Sequence, residues 1–257
     1  MTRCILVTGA AGLLGVQHVK GLLADGHQVV ASDINADALK DRFNQVMSEK
    51  LSLERLDVTN EDEIIKLSKK FAFNVLINNA AIDAKVTGAA MSGDGRLENF
   101  QVEDFNLEIG VGLTGAILCS KHIGSKMNSI AGGKIINIAS DLSVISPDQR
   151  LYEIKGVKNE SQPRKPVSYG VIKHGLIGLT KYLSTYWPGQ VTCNALSPGG
   201  VYTNQSQEFL QNISARIPLN RMANLDEYQG VLRFLVSDAS NYMNGQNIVM
   251  DGGRSVW

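Results

Sequence analysis

The apolar run Cys4-Ile5-Leu6-Val7 passes directly into Thr8-Gly9-Ala10-Ala11-Gly12-Leu13-Leu14-Gly15, and a helical pattern follows through Leu23. A short, continuous apolar run is the mark of a strand buried on both faces. Strand, glycine turn and helix in immediate succession restrict the chain to a βα unit whose helix begins at the turn. Gly9 permits the tight turn, Gly12 lets backbone approach a pyrophosphate, and Gly15 lets helix pack on strand. The unpaired N–H groups and positive dipole end of that helix make an anion site. A second strand, 28–32, ends at Asp33, roughly 20 residues beyond the last glycine, where a carboxylate accepts hydrogen bonds from ribose hydroxyls and repels a 2′-phosphate. No arginine or lysine stands inside the turn or directly after Asp33, so NAD is expected rather than NADP.

The pattern then repeats. A helix near 36–47 precedes a strand at 51–56 that ends in Asp57-Val58. A polar helix near 61–71 precedes a strand at 73–77 that ends in Asn78-Asn79-Ala80-Ala81. Strands alternating with helices predict an α/β fold, a Rossmann-type doubly wound sandwich with helices on both faces of a parallel sheet and the ligand at the strands' carboxyl ends. A glycine-dotted loop at 82–100, a long helix at 103–129 and a strand at 134–139 that delivers Ser140 come next. The proline-bearing, polar stretch 147–166 reads as an excursion rather than a core element. A helix to about 186, a strand at 191–196, an amphipathic segment at 204–217, a helix near 226–237 and a strand at 246–250 complete the chain. No repeat or linker divides it, so one domain over 1–257 suffices, with loops near 82–100, 147–166 and 203–220 left to meet a substrate.

Within Ser168-Tyr169-Gly170-Val171-Ile172-Lys173-His174, Tyr169 and Lys173 stand one helical turn apart on a shared face. A free phenol ionises near about pH 10. An ammonium about 4 Å away, at an effective dielectric of about 20, favours the phenolate by roughly 4 kcal/mol, about three pKa units. That brings a tyrosine into the range of general acid–base chemistry. Charge is balanced, 25 basic against 25 acidic residues, without a basic stretch that would suit nucleic acid or a membrane surface. Cys4, Cys119 and Cys193 and the four histidines are dispersed without metal spacing. Scattered thiols and the short apolar N-terminal run predict a soluble, cytoplasmic protein with no membrane contact.

These stretches together resemble the short-chain dehydrogenase/reductase family: Thr8 to Gly15, Asp57-Val58, Asn78-Asn79-Ala80, Asn137-Ile138-Ala139-Ser140, Tyr169-x-x-x-Lys173, Pro198-Gly199 to Thr203, and Asp251-Gly252-Gly253. The resemblance covers essentially the whole chain. It implies a seven-stranded parallel sheet and nicotinamide-dependent redox chemistry on an alcohol or carbonyl. Carried over, Tyr169 is the acid–base, Ser140 hydrogen-bonds the reacting oxygen, and Lys173 lowers the phenol's pKa and holds the nicotinamide ribose. Asp57 and Val58 would touch adenine, Asn79 and Ala80 would flank the adenosine half, Val201 would meet the carboxamide and Thr203 a phosphate. A homo-oligomer, dimer or tetramer, is the family expectation, its long helices near 104–129 and 166–186 pairing between subunits.

Three departures from the family pattern stand out. An asparagine that many members carry in a Val-Asn-Leu-x-Gly context is Gly112 here, within Val111-Gly112-Leu113-Thr114-Gly115; Asn106 lies about 240° around the helix, and Glu108 is the nearer substitute. The stretch between Ser140 and Tyr169 is unusually long. Gly12 in mid-turn is similar to the branch that modifies nucleotide-linked sugars. The strings Pro147-Asp148-Gln149-Arg150 and 171–182 are similar to oxidoreductases of bacterial surface-sugar and flagellin-modification pathways. The excursion carries Arg150, Lys155, Lys158, Arg164 and Lys165 against Asp148, Glu153 and Glu160, a modest excess suited to phosphate or carboxylate. The resulting expectation is an NAD-dependent oxidoreductase of a secondary alcohol or ketone, such as a phosphorylated or nucleotide-linked sugar. The alternatives are a sugar-nucleotide epimerase or dehydratase that retains NAD, and a non-catalytic NAD-binding subunit.

Overall fold

The computed structural model describes residues 2–82, 95–129 and 132–257. Its strands are β1 (Cys4–Thr8), β2 (Gln28–Asp33), β3 (Leu51–Arg55), β4 (Val75–Asn78), β5 (Gly133–Ile138), β6 (Val191–Pro198) and β7 (Asn247–Met250). They form a seven-stranded sheet in the order β3-β2-β1-β4-β5-β6-β7, every pair parallel. The chain winds outward from β1 in one direction and from β4 in the other, which opens a crevice above β1 and β4 at the strands' carboxyl ends.

Side chains alternate across the pleat, so each strand feeds two cores. Ile5, Val7, Val29, Ile77 and Ile136 pack with α1 (Leu13–Ala24), α2 (Ala36–Phe43) and α9 (Gln229–Val236). Leu6, Val30, Leu76 and Ile135 pack on the other face with α3 (Glu61–Lys70), the long helix and α7 (Val167–Tyr186). Helix α2 ends at Phe43, short of the expected 47, because Leu39 and Phe43 are its buried anchors and Met47 is 95% exposed.

The long helix runs as α4 (Val102–Ile109), a wide π turn (Gly110–Thr114), α5 (Gly115–Cys119), a second wide turn (Ser120–Gly124) and α6 (Ser125–Ser129). The sequence predicted one uninterrupted helix there. Each wide turn carries glycine, and glycine lets backbone come close to a neighbour. A Cβ on Gly112 would lie 2.8 Å from Cγ2 of Ile172, and one on Gly175 would lie 2.8 Å from Cδ2 of Leu113. The long helix and α7 therefore meet through two reciprocal insertions.

The excursion is more ordered than its prolines suggested. Short 3₁₀ turns form at Gln149–Tyr152 and Asn159–Ser161. Gln162 is buried and clasps the Ile154 N–H (2.7 Å) and the carbonyls of Ile154 (3.0 Å) and Val157 (2.7 Å). Leu151 enters a small core with Ile213, Ile217 and Met222, beneath α8 (Gln207–Ser214). Asp148 accepts from Arg150 (2.8 Å) and Arg216 (2.6 Å), which holds its carboxyl well below the usual carboxylate range. The positive excess is thus partly neutralised within the excursion, and Arg164 is likewise shared with Glu153 and Asn159. Of the loop expected at 82–100, residues 83–94 lie outside the described residues. Among the described residues, no helix is long and apolar enough to cross a membrane.

Candidate active site

The glycine turn is held by backbone and by two polar side chains. Thr8 Oγ1 donates to the Ile77 carbonyl (3.3 Å) and accepts from the N–H groups of Asn79 (3.1 Å) and Ala80 (3.1 Å). Asn79 Nδ2 donates to the carbonyls of Thr8 (2.9 Å) and Gly9 (3.0 Å). Gly9 has φ +63°, and a Cβ there would lie 2.7 Å from the Ala80 Cα. The ends of β1 and β4 are thereby stitched together, a bracing role for Asn79 that its sequence position did not reveal. A Cβ on Gly15 would lie 2.4 Å from the Gly9 carbonyl oxygen, which explains why helix and strand come so near.

Gly12 is the N-cap of α1 and has no side chain to bend back on the first turn. Leu13, the first helical residue, is half exposed, and the first-turn N–H groups have no carbonyl one turn earlier within the helix. That cradle fits a pyrophosphate. Asp33 Oδ2 accepts the Ala11 N–H (3.1 Å) and Oδ1 the Asn35 N–H (3.0 Å), so the carboxylate stands at the rim of the turn. Asp57 caps Thr59 with Oδ1 (2.9 Å to N, 2.7 Å to Oγ1), and Val58 is buried against Gly115. Across the crevice Pro198 ends β6, and a Cβ on Gly199 would lie 2.8 Å from the Asp251 Cα. Val201 pairs with Ala223, and the exposed Thr203 is tied to Gln205 through its N–H (2.8 Å) and Oγ1 (3.0 Å).

The three residues expected to carry the chemistry, Ser140, Tyr169 and Lys173, stand where the end of β5 meets α7. Ser140 follows β5 in extended conformation, and its Oγ accepts the Leu142 N–H (3.2 Å). Lys173 is buried and donates from Nζ to the Ile138 carbonyl (2.9 Å), two residues before Ser140. The same Nζ lies 5.7 Å from the centre of the Tyr169 ring. One side chain therefore ties the helix bearing Tyr169 to the strand bearing Ser140. Lys165 Nζ stands 4.0 Å from the Tyr169 ring centre, a cation–π contact that sequence reading had counted only as loop charge. Asn106 is exposed and Glu108 half-buried, while the Ile172 methyl occupies the space beside Gly112.

A cavity of about 670 Å³ flanks these groups, walled by Leu142, Ile145, Pro147, Gln149, Lys165 and His174 among others. Its α7 wall (Val167, Gly170, Val171, His174) is the helix face next to that of Tyr169 and Lys173. Two further residues escaped sequence reading: Asp141, which accepts from Ser140 Oγ (2.9 Å), and Arg254, which donates to Asp141 (2.7 Å).

What this fold and this crevice define is an α/β oxidoreductase working with a nicotinamide dinucleotide. The chain belongs to the short-chain dehydrogenase/reductase family: a family model described as enoyl-(acyl carrier protein) reductase matches residues 9–255. An uncharacterised short-chain type dehydrogenase/reductase of Sinorhizobium fredii is 30% identical over 98% of this chain, which spans 43% of that longer protein. An NAD-dependent glycerol dehydrogenase of Listeria innocua is 27% identical over 99% of this chain and 94% of its own. The crystal structure of a short-chain dehydrogenase from Leptospira borgpetersenii with bound NAD+ superposes with a TM-score of 0.85 at 29% identity, covering 99% of this chain and 93% of that one.

Proposed function

We propose that the protein is an NAD-dependent dehydrogenase of a polyhydroxylated secondary alcohol, with a phosphorylated or nucleotide-linked sugar as the substrate class. The observation that carries the reading is the Lys173 bridge, with Nζ 2.9 Å from the Ile138 carbonyl beside Ser140 and 5.7 Å from the Tyr169 ring. In oxidation Tyr169, as phenolate, takes the proton from the substrate hydroxyl. Lys173 holds positive charge near that phenol and favours its ionised form. Ser140 Oγ donates to the substrate oxygen as negative charge develops there. A nicotinamide dinucleotide bound in the crevice would supply the hydride acceptor for that carbon, so that an alcohol would leave as a carbonyl. Gly9, Gly12, Leu13, Leu14 and Gly15 would cradle the pyrophosphate, Asp33 the adenosine ribose, Asp57, Val58, Asn79 and Ala80 the adenosine half, and Pro198, Gly199, Val201 and Thr203 the nicotinamide half.

Asp33 supports NAD over NADP because its carboxylate faces the turn where a 2′-phosphate would add charge. The glycerol dehydrogenase relative and the basic side chains of the excursion support a polyol bearing an anionic group. The likeness of 147–150 and 171–182 to surface-sugar oxidoreductases points the same way. The exposed Leu107, Tyr182 and Tyr186 support homo-oligomers through the long helices, and the free thiols Cys4, Cys119 and Cys193 suit the cytoplasm.

The test incubates the purified protein with NAD+ or NADP+ and glycerol, threitol, gluconate or UDP-glucose, following reduced nicotinamide by absorbance. Turnover with NAD+ is expected, with loss of at least about a hundredfold in Tyr169→Phe. Product formed without net cofactor reduction would favour the retained-NAD epimerase or dehydratase. Activity that survives Tyr169→Phe would overturn the assignment.

A further inference from the structure

Ser140 does not stand alone at the end of β5. Its hydroxyl donates to Asp141 Oδ1 at 2.9 Å while Leu142 N–H donates to the same oxygen at 2.9 Å. The other oxygen, Oδ2, accepts from Arg254 Nη1 at 2.7 Å, and both side chains are buried, 4% and 10% exposed. Arg254 comes from the far end of the chain. The turn Asp251-Gly252-Gly253 carries it there: Asp251 Oδ1 and Oδ2 accept the N–H groups of Gly253 (2.9 Å) and Ser255 (2.8 Å), and both glycines have left-handed φ, +69° and +90°. A carboxylate so nearly removed from water is strongly destabilising unless paired.

We propose that Asp141 and Arg254 are positioning residues that set which way the Ser140 proton points. The inference rests on the reading of Ser140 as the donor to the substrate oxygen. A hydroxyl has one proton, so Ser140 donates either to Asp141 or to the substrate. At rest the hydroxyl proton points at Asp141 Oδ1, while Oγ accepts the Leu142 N–H. As charge develops on the substrate oxygen the proton swings to it, and Asp141 loses one donor. Arg254 on Oδ2 and the Leu142 N–H on Oδ1 keep the carboxylate satisfied through that swing, so the reorientation costs little. Without Arg254 the carboxylate keeps the Ser140 proton, and the interaction lost is one made only in the transition state.

The titratable groups around Asp141 are Arg254 and Asp251 from the C-terminal turn, Tyr228 at the start of α9, and Tyr169 and Lys173 from α7, which packs on the 141–143 turn. Tyr228 donates to the Gly199 carbonyl at 2.9 Å, and burial together with Asp141 pushes its phenol up, so it stays neutral. Arg254 is thus the cation whose contact with Asp141 the structure displays.

The experiment compares full-length wild type, Arg254→Gln, Asp141→Asn and the double variant in two assays. In NAD+ reduction with glycerol or threitol, Arg254→Gln is expected to lose about tenfold in kcat with KM within about twofold. The double variant should regain most of the loss. In thermal unfolding, Arg254→Gln should melt below wild type, and the double variant should recover most of the difference. An Arg254→Gln enzyme with unchanged kcat, one whose loss lies in KM alone, or a kcat deficit that the double variant shares in full would overturn the proposal. So would an unfolding deficit that the double variant shares in full. Tyr169→Phe serves as the control: turnover that survives it would sink the underlying reading, while the unfolding series still reports on the pair.

Discussion

The two sides of the crevice are built from different materials. On the β1–β4 side the glycine turn is fixed largely by main chain, with Thr8 and Asn79 stitching β1 to β4, and there is no room for a Cβ at Gly9 or Gly15. On the β5–β7 side, side chains distant in sequence meet: Arg254 on Asp141, Arg216 on Asp148, Lys173 on the Ile138 carbonyl, and Ser143 on Ser197, which in turn donates to Asn247. The first side presents a fixed shape to a ligand with invariant chemistry. The second can change one contact at a time, which suits the side that chooses the substrate. If this division is real, substitutions on the first side damage folding and dinucleotide binding together, and those on the second alter turnover or substrate affinity selectively.

The largest effect expected is from Gly9→Val. A left-handed φ and a 2.7 Å approach to Ala80 should cost about 3 kcal/mol or more and abolish NAD+ binding, read by denaturant unfolding and calorimetry. Intact NAD+ affinity in that variant would break the comparison.

His18 tests the same side through pH. It is 1% exposed on α1, neither ring nitrogen has a hydrogen-bond partner among the described residues, and burial lowers its pKa from 6.5 to about 4. The unfolded chain therefore binds a proton below about 6.5 that the folded chain refuses until about 4. Stability is complete above that window and declines as pH falls through it, by about 3 kcal/mol at most. His18→Leu should remove that part of the acid sensitivity, and a wild-type minus variant difference that stays flat across the window would refute it.

On the second side Asp148→Asn should cost about 1 kcal/mol of stability, because it loosens the excursion from Arg216. NAD+ affinity should stay unchanged while KM for the alcohol rises. A change in NAD+ affinity instead would mean the two sides are not separable. The smallest effect sharpens rather than breaks the contrast. Lys165→Gln removes the cation over the Tyr169 ring, and kcat for oxidation should fall by at most about fivefold with NAD+ affinity unchanged.

The same division accounts for what was legible in the sequence. Strand β1, its glycines and Asp33 were readable because each holds a fixed place in one strand–turn–helix–strand motif whose spacing the sequence displays. Tyr169 and Lys173 were readable because a helix places i and i+4 together. The parallel, doubly wound character of the sheet followed from alternating strands and helices; its strand order did not. The Asp141–Arg254 pair was not readable, because the partners lie at opposite ends of a long stretch of chain and only the fold joins them. Lys165 looked like one more charge in a polar loop until the excursion folded back on α7. The excursion itself was misjudged because its prolines signal turns but not the burial of Leu151 and Gln162. The wide turns in the long helix leave no periodic signature in so short a run.

The two reciprocal insertions between the long helix and α7 impose a constraint on variation. Ile172 needs the absence of a side chain at 112, and Leu113 needs it at 175. Volume is conserved across this seam rather than at any one position. Enlarging 112 is tolerable only with a smaller residue at 172, and enlarging 175 only with a smaller one at 113. An asparagine at 112 would therefore have to arrive together with a trimmed neighbour directly beside Lys173, so drift along this face of α7 must proceed by exchange in pairs.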